Sequence, residues 1–189
     1  EDPELGRGEN GVTYFKVHGT DTDNVWFVGT GGRSLRWNGS QLTAVATDAD
    51  RPTATAPLLT IDANPDHPVV VGGIGNGLLL EFDGDAWRDK SPEFQPGFNG
   101  VCSGADQQWA VGQQGARAQR QADETWLSDM DFGYSTLTYN DWHGCAVAPN
   151  GDLWSVGGRI AQRPLSEGMI GFQGPELPQR VPGDWSRVD

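Results

Sequence analysis

The stretch Val25-Trp26-Phe27-Val28-Gly29 decides the fold class of this chain because it recurs. The related phrases are Val69-Val70-Val71-Gly72, Trp109-Ala110-Val111-Gly112 and Trp154-Ser155-Val156-Gly157. With Trp26, Val69, Trp109 and Trp154 as anchors, the spacings are 43, 40 and 45 residues. A fixed period of this size indicates one supersecondary unit copied along the chain.

Each phrase is one of several short apolar runs in its unit. One run lies about seven residues upstream, another follows a glycine step, and a last one starts near Leu42, Trp87 and Trp126 in the first three units. Polar turn residues separate the runs. Four short strands in about 40 residues are typical of a β-propeller blade. Since no ten-residue stretch has helical periodicity, we predict an all-β propeller of about four four-stranded blades, forming one domain over residues 1–189.

Two groups of residues resemble known repeats. The segments 17–29 and 35–39 look like the degenerate propeller repeats of bacterial envelope and secreted proteins. Asp83, Gly84 and Trp87 are similar to the related Asp-box and photosystem-assembly-factor repeats, in which Asp and Gly cap a hairpin before a packed Trp. The resemblance covers residues 12–160. It implies a propeller fold but no particular activity, because enzymes, lectins and scaffolds all use such repeats.

The sequence leaves ring closure open. Four units could form a small complete ring, or they could belong to a larger ring completed by another chain, because exposed blade edges have to be covered. We expect residues 1–10 to be an N-terminal arm or closing strand. The Gly- and Pro-rich segment 164–182 is expected to be a loop insertion. The first residues carry no leader features, which fits a processed product or a fragment.

The charge of the chain excludes some partners. Its 189 residues include 26 acidic and 13 basic ones, which gives a formal net charge of −13. Nucleic-acid binding draws its affinity from Lys and Arg, so we predict no nucleic-acid partner. The longest apolar runs are far shorter than the roughly 20 residues that a membrane helix needs, so we also predict no membrane span.

The two cysteines form a candidate disulfide. Cys102 and Cys145 lie seven and nine residues before their anchors, which predicts that they occupy the same face of equivalent strands in adjacent blades. Such strands approach each other near a propeller axis. A bond there would contribute roughly 3–4 kcal/mol by closing a loop of about 40 residues. Two free buried thiols are the alternative.

Arginines and histidines offer weaker candidates. Arginines recur in pairs on the predicted third strands: Arg33 and Arg36, Arg117 and Arg120, Arg159 and Arg163. We expect salt links between blades from them, because a sialidase-like carboxylate grip would also need a Tyr nucleophile with a paired Glu. His18 and His143 lie near innermost strands, but no dense metal-ligand spacing accompanies them. We therefore predict no catalytic residue, metal or cofactor.

An irregular aromatic stretch before the fourth unit is the candidate contact surface. It contains Phe132, Tyr134, Tyr139 and Trp142 beside Asp and Asn side chains. Rings that stack and polar groups that orient are typical of sugar or peptide recognition. The alternative is that these rings plug a gap between blades three and four.

Together these features predict a non-enzymatic propeller. We expect it to act outside the cytoplasm, in the periplasm, at the cell surface or after secretion, as an interaction or assembly module for another protein chain. A carbohydrate-binding propeller is the second hypothesis, and a glycosidase or metal-dependent oxidase on the same scaffold is the third.

Overall fold

The computed structural model describes residues 11–48, 56–93, 95–128, 140–159 and 168–174. These residues form sixteen β-strands in four sheets, together with short 3-10 turns at Thr30–Gly32 and Gln113–Gly115. The prediction of an all-β chain built from four sheet units is confirmed. Each sheet is an antiparallel meander of consecutive strands, apart from one added parallel strand.

The sheets follow one another along the chain, and we call them blades 1 to 4. Blade 1 consists of β1 (Tyr14–Asp21), β2 (Asn24–Gly29), β3 (Ser34–Trp37) and β4 (Leu42–Ala44). Blade 2 consists of β5 (Ala46–Asp48), β6 (Leu58–Asp62), β7 (Val69–Gly72), β8 (Leu78–Phe82) and β9 (Ala86–Asp89). Blade 3 consists of β10 (Phe98–Gly104), β11 (Gln107–Gly112), β12 (Arg117–Arg120) and β13 (Trp126–Ser128). Blade 4 consists of β14 (Asp141–Val147), β15 (Leu153–Gly158) and β16 (Gly168–Gln173).

The recurring phrase forms the second strand of each antiparallel meander, namely β2, β7, β11 and β15. In blade 2 all four residues of β7 are buried, because this strand is covered on both faces. Such a strand is apolar at successive positions instead of alternating with polar residues. The phrase is therefore the sequence signature of a central strand.

The strand count differs from the prediction in two blades. Blade 2 has five strands, because Ala46–Asp48 continues from blade 1 and pairs in parallel with β9 at the outer edge. Blade 4 has three strands among the described residues. Its β16, Gly168–Gln173, lies inside the segment 164–182 that we expected to be a loop insertion, so that expectation was wrong for these six residues. Beyond β16, the structure describes only Gly174 of that segment. Residues 1–10, expected to be an arm or closing strand, lie outside the described residues.

The prediction that Arg159 lies on the third strand of its blade was wrong. Arg159 follows β15 instead of lying on the third strand of its blade, because the connection between β15 and β16 is longer than the corresponding connections in blades 1 to 3. Arg163 lies outside the described residues.

Adjacent blades pack face to face through apolar clusters. We call the face of a blade toward the next blade in the chain its forward face, and the opposite one its rear face. The forward face of blade 1 presents Trp26 and Val28 to rear-face residues of blade 2, among them Ile61 and Trp87. Blades 2 and 3 share a second cluster, and blades 3 and 4 a third, which contains Trp109 and both cysteines.

The anchor tryptophans have related environments. Trp26 and Trp109 are almost fully buried, and each indole N–H donates to a side-chain amide oxygen two residues earlier, that of Asn24 or Gln107. Trp154 has the same register and is half-buried against Phe172, at 4.9 Å between ring centroids. The indoles thus sit at a repeated position on the forward faces.

The structure joins Cys102 in β10 to Cys145 in β14 by a disulfide, with their Cα atoms 5.8 Å apart. The predicted parity was wrong. Cys102 pairs with the anchor Trp109, whereas Cys145 pairs with Ser155 beside the anchor Trp154. The two cysteines therefore lie on opposite faces of equivalent strands, one forward and one rear, which points both toward the interface between blades 3 and 4.

Candidate functional site

The hairpin turns of blades 1 to 3 surround a groove of about 840 Å³. In blades 1 to 3, the β1–β2, β6–β7 and β10–β11 turns lie at the same end as the β3–β4, β8–β9 and β12–β13 turns. Residues from these turns line the groove: Asp21, Asp23, Asn24, Asn38, Pro65, Asp66, His67, Pro68, Asp83, Gly84 and Glu124. Three consecutive repeats therefore contribute to one concave surface.

An aromatic cluster lies where blades 1 and 2 meet; Trp26 and Phe82 line the groove, and the fully buried Trp87 lies behind them. The ring centroids of Trp26 and Phe82 lie 4.9 Å apart in an edge-to-face arrangement. Trp87 completes the cluster at 5.1 Å from Trp26 and 5.5 Å from Phe82. Its indole N–H donates to the Ser34 hydroxyl in blade 1 at 2.7 Å, so the buried ring is both packed and hydrogen-bonded. This part of the groove is rigid because its side chains are locked across two blades.

Arg36 lies over these rings. Its Cζ is 5.0 Å from the Trp26 ring centroid and 5.6 Å from that of Phe82, which is cation–π geometry. Its buried Nε has no hydrogen-bond partner, and no carboxylate in the described part of the chain lies within ion-pair distance of Arg36. Because the Nε is enclosed, a carboxylate would have to bind the two Nη groups, and Arg is suited to such bidentate binding.

Glu81 occupies the corresponding position in blade 2 and is already satisfied. One of its carboxylate oxygens accepts from Arg120 Nε at 2.8 Å and from Trp126 Nε1 at 2.6 Å, both from blade 3. Arg120 also approaches the exposed Glu124 at 3.7 Å. The expected salt link between blades is thus present for Arg120, whereas Arg36 stacks on rings instead.

The rim of the groove carries more acidic than basic residues, although Arg88 and Lys90 also line the groove. Asp21, Asp23 and Asp66 are exposed there. Asp83 Oδ1 accepts the backbone N–H groups of Ala86 and Asp85 at 2.9 Å, and Oδ2 accepts from Arg88. These hydrogen bonds, the one from Ala86 first, hold the pKa of Asp83 well below its ordinary value.

The third unit has Gln121-Ala122-Asp123 where the second has Asp83-Gly84, and a shifted residue caps its hairpin. Asp123 accepts from the Thr125 hydroxyl at 2.6 Å and from the Thr125 N–H at 3.1 Å. The hydroxyl bond is the main cause of the lowered pKa of Asp123. The departure from the Asp-Gly pattern at residues 121–123 therefore moves the cap by two positions and does not remove it.

Of the four residues of the predicted aromatic contact surface, the structure describes Trp142. Phe132, Tyr134 and Tyr139 lie outside the described residues. Trp142 in β14 pairs with Gly157 in β15, and the equivalent pair in blade 3 is Phe98 with Gly112. It is half-buried, and its carbonyl accepts from Asn99 Nδ2 of blade 3 at 2.8 Å. This position supports packing between blades 3 and 4 for Trp142, while the role of the other three remains a prediction.

The histidines have structural neighbours. His18 Nδ1 lies 3.1 Å from the Ala63 amide nitrogen of blade 2, which donates to it. His143 Nε2 lies 3.4 Å from the Gly158 carbonyl oxygen in its own blade. Over the described ranges, no three His, Cys, Asp or Glu side chains lie close enough together to bind a metal ion. The same residues contain no helix with the length and apolar character needed to cross a membrane.

Sequence reasoning noticed the groove residues only as separate turns. The available signal was their equivalence: turns at the same point of successive repeats must emerge at the same end of a propeller. What the sequence could not reveal is that the Arg36 guanidinium would meet Phe82 of the next blade, because that contact depends on the angle between blades.

Comparisons with known proteins identify the architecture. No protein-family model matches the chain, and no curated protein sequence matches it. Among solved structures, it is similar to the WD40 repeats of RRP9, with a TM-score of 0.59, 9% identity, and coverage of 87% of this chain and 52% of that one. It is also similar to YCF48 bound to D1 peptide, with a TM-score of 0.54, 16% identity, and coverage of 87% and 51%.

A third similar structure is the extracellular domain of the putative hybrid two-component system BT4673 from B. thetaiotaomicron. Its TM-score is 0.54 and its identity 11%, with coverage of 92% of this chain and 22% of that one. The chain therefore spans between about a fifth and a half of the structures it resembles. At these identities the likeness concerns the fold alone, and the fold is a β-propeller built from repeated blades, as predicted.

Proposed function

We propose that this chain is a non-enzymatic propeller module that acts outside the cytoplasm and binds a segment of another protein in the groove between blades 1 and 3. The observation that carries the proposal is the unpaired Arg36 guanidinium over Trp26 and Phe82. A half-buried cation held over packed aromatic rings has little conformational entropy to lose on binding.

The charges around Arg36 suggest the kind of segment. Its donors favour a carboxylate, while the exposed Asp21, Asp23 and Asp66 at the rim favour neighbouring cations. A segment with one acidic side chain flanked by Lys or Arg satisfies both requirements. Phe82 adds a partly exposed ring against which an apolar part of the segment can pack.

Two further observations support the assignment to a compartment and a class. Disulfides persist mainly in oxidising compartments, and Cys102 is bonded to Cys145. The similar structures include an extracellular domain and a propeller bound to a peptide. Under this proposal the rigid blades hold the groove and the turns supply its specificity.

A peptide array tests the proposal. The purified chain is incubated with immobilised peptides in which a central Glu or Asp is flanked by Lys or Arg, together with charge-scrambled and all-neutral peptides. We expect binding to the first class, and at least a tenfold loss for Arg36→Gln, since one charge-assisted bidentate contact is worth about 1.5–3 kcal/mol.

Arg33→Gln is the matched control. It removes the same charge three residues earlier, from the residue directly before β3, and Arg33 does not line the groove. Equal binding by wild type and Arg36→Gln, or binding that follows peptide charge alone, would overturn the proposal. Turnover in a screen of glycosides and oxidisable substrates would contradict the non-enzymatic part.

A further inference from the structure

The forward faces of the blades follow one rule of burial. The valines of the recurring phrase, Val28, Val71 and Val111, are 0% exposed in blades 1 to 3. Each lies on a forward face, and the following blade covers it. In the first interface Val28 shares its apolar cluster with Ile61 on the rear face of blade 2. Within the chain this valine position is therefore covered three times, each time by the following blade.

Blade 4 departs from this rule. Val156 has the register of Val28, Val71 and Val111, yet it is 54% exposed. Its cross-strand neighbour Ile170 is 53% exposed, and the half-buried pair Trp154 and Phe172 extends the same face. No described strand follows β16 in the chain. Among the residues that the structure describes, no blade covers the forward face of blade 4 as blades 2 to 4 cover its counterparts.

The rear face of blade 1 has the complementary deficiency. Val17 pairs with Phe27 as Ile61 pairs with Val70 in blade 2, so Val17 and Ile61 occupy the same rear position. Ile61 is 2% exposed and Val17 is 55% exposed. Contacts between innermost strands run from β1 to β6, from β6 to β10 and from β10 to β14. The described blades form an arc with an apolar surface at each end.

We propose that the forward face of blade 4 binds the rear face of blade 1 of a second copy of this chain, so that two copies close one ring of eight blades. A second copy continues the interfaces inside the chain. In the first interface Ile61 on the rear face of blade 2 shares a cluster with Val28, and Val17 is the residue of blade 1 at the position of Ile61. The chain also covers about half of two similar propeller chains, at 51% and 52%.

Symmetry makes this assembly closed. Each copy contributes one forward end and one rear end, and a twofold axis places both pairs in contact at once. Two equivalent interfaces then leave no unpaired end from which a filament could grow. The groove between blades 1 and 3 is not used in either interface, so this inference is independent of the proposed binding function.

The mass of the purified chain in solution tests the proposal. Light scattering after size-exclusion chromatography is expected to give twice the 20.4 kDa of one chain. Val156→Glu alone and Val17→Lys alone are each expected to give the single-chain mass, because each variant places a charge in both interfaces of a dimer. Ile74→Glu is the control, since Ile74 is 74% exposed in a turn and belongs to neither face; it is expected to stay dimeric.

Mixing the two variants separates a lost interface from a lost fold. A dimer with one copy of each variant has one unaltered interface and one in which Glu faces Lys, so the mixture is expected to recover the double mass. A wild-type chain at the single mass, a mass above two copies, a dimer that Val156→Glu does not change, or a mixture that does not recover the dimer would each overturn the proposal.

Discussion

Arg36 and Glu81 occupy the same position in consecutive blades, yet they carry opposite charges and have opposite fates. Arg36 pairs across its blade with Trp26, and Glu81 pairs with Val69 at the same point of the next repeat. The Glu81 carboxylate is neutralised by Arg120 of blade 3, whereas Arg36 meets the ring of Phe82. One interface between blades thus carries a closed ion pair, and its neighbour keeps a cation available to a ligand.

The closed pair predicts a large effect for Glu81→Gln. The side chains of Glu81 and Arg120 are only 11% and 14% exposed, so removing one partner leaves a charge that water cannot fully solvate. We expect a loss of about 3 kcal/mol in the free energy of unfolding, measured by urea denaturation at neutral pH.

Glu124→Gln is the control for this change. Glu124 is 63% exposed and also approaches Arg120, so its loss is expected to change stability by no more than about 0.5 kcal/mol. Equal stabilities of the two variants would show that Glu81 is solvated in solution. In Glu81→Gln the new amide oxygen can still accept from the Trp126 indole, so the comparison isolates the charge.

Asp83 predicts a pH dependence with a definite sign. Its folded pKa is lowered from 3.8, so the stability it contributes is fully present above pH 4 and is lost as the pH falls toward the folded pKa. We expect Asp83→Asn to have a lower Tm than wild type by a constant amount between pH 5 and 7, and this difference should shrink below about pH 4. Asp85→Asn, in the same turn, controls for the change in net charge. A difference that stays constant down to pH 2 would contradict the prediction.

The disulfide predicts a strong effect of reductant. Cys102 and Cys145 are separated by 43 residues, and closing a loop of that length is worth about 4 kcal/mol in the chain-entropy treatment. We expect reductant to lower the urea midpoint of the wild-type chain and to leave that of the Cys102→Ala/Cys145→Ala double variant unchanged. Equal midpoints of wild type with and without reductant would indicate free thiols in solution.

How far the sequence predicts this molecule depends on whether a feature is local or lies between blades. The strands follow from apolar runs, and the number of sheets follows from the number of repeats, whereas blades 2 and 4 depart from four strands. The added strand at Ala46–Asp48 could not be predicted, because three such residues carry no pattern and pair only with an edge supplied by blade 2. The cysteine parity failed because the turn before β11 has two residues, 105–106, whereas the turn before β15 has five, 148–152.

The candidate site shows the same division. The polar turns that line the groove were visible in the sequence, but the stacking of Arg36 on Phe82 joins two repeats 46 positions apart along the chain. Register within a blade is encoded by alternation and turn length, while contact between blades depends on their relative angle. A single sequence carries the first kind of information more directly than the second.

The glycine of the recurring phrase predicts the sharpest local test, at Gly112. Its φ of −167° is ordinary extended backbone, so conformational freedom does not explain the residue. A Cβ at Gly112 would collide with the Gly97 carbonyl oxygen and lie 2.7 Å from Phe98 Cα. Glycine is therefore required for space, because the backbone at the start of the neighbouring strand β10, at Gly97 and Phe98, lies directly against it. The glycines that end the other three phrases have the same close neighbour at 2.9–3.0 Å: Gly29, Gly72 and Gly157.

Gly112→Ala is accordingly expected to cost about 3 kcal/mol, because the backbone of Gly97 and Phe98 must move to admit one methyl group. Gly168→Ala in β16 is the matched control, since a Cβ there meets nothing within 4 Å, and we expect a change within about 0.5 kcal/mol. Urea denaturation of both variants measures the difference. If Gly112→Ala were as stable as Gly168→Ala, the two strands would have to lie farther apart in solution. A similar loss for Gly29→Ala would extend the result to blade 1, because a Cβ at Gly29 meets the backbone of Thr13 and Tyr14 in the same way.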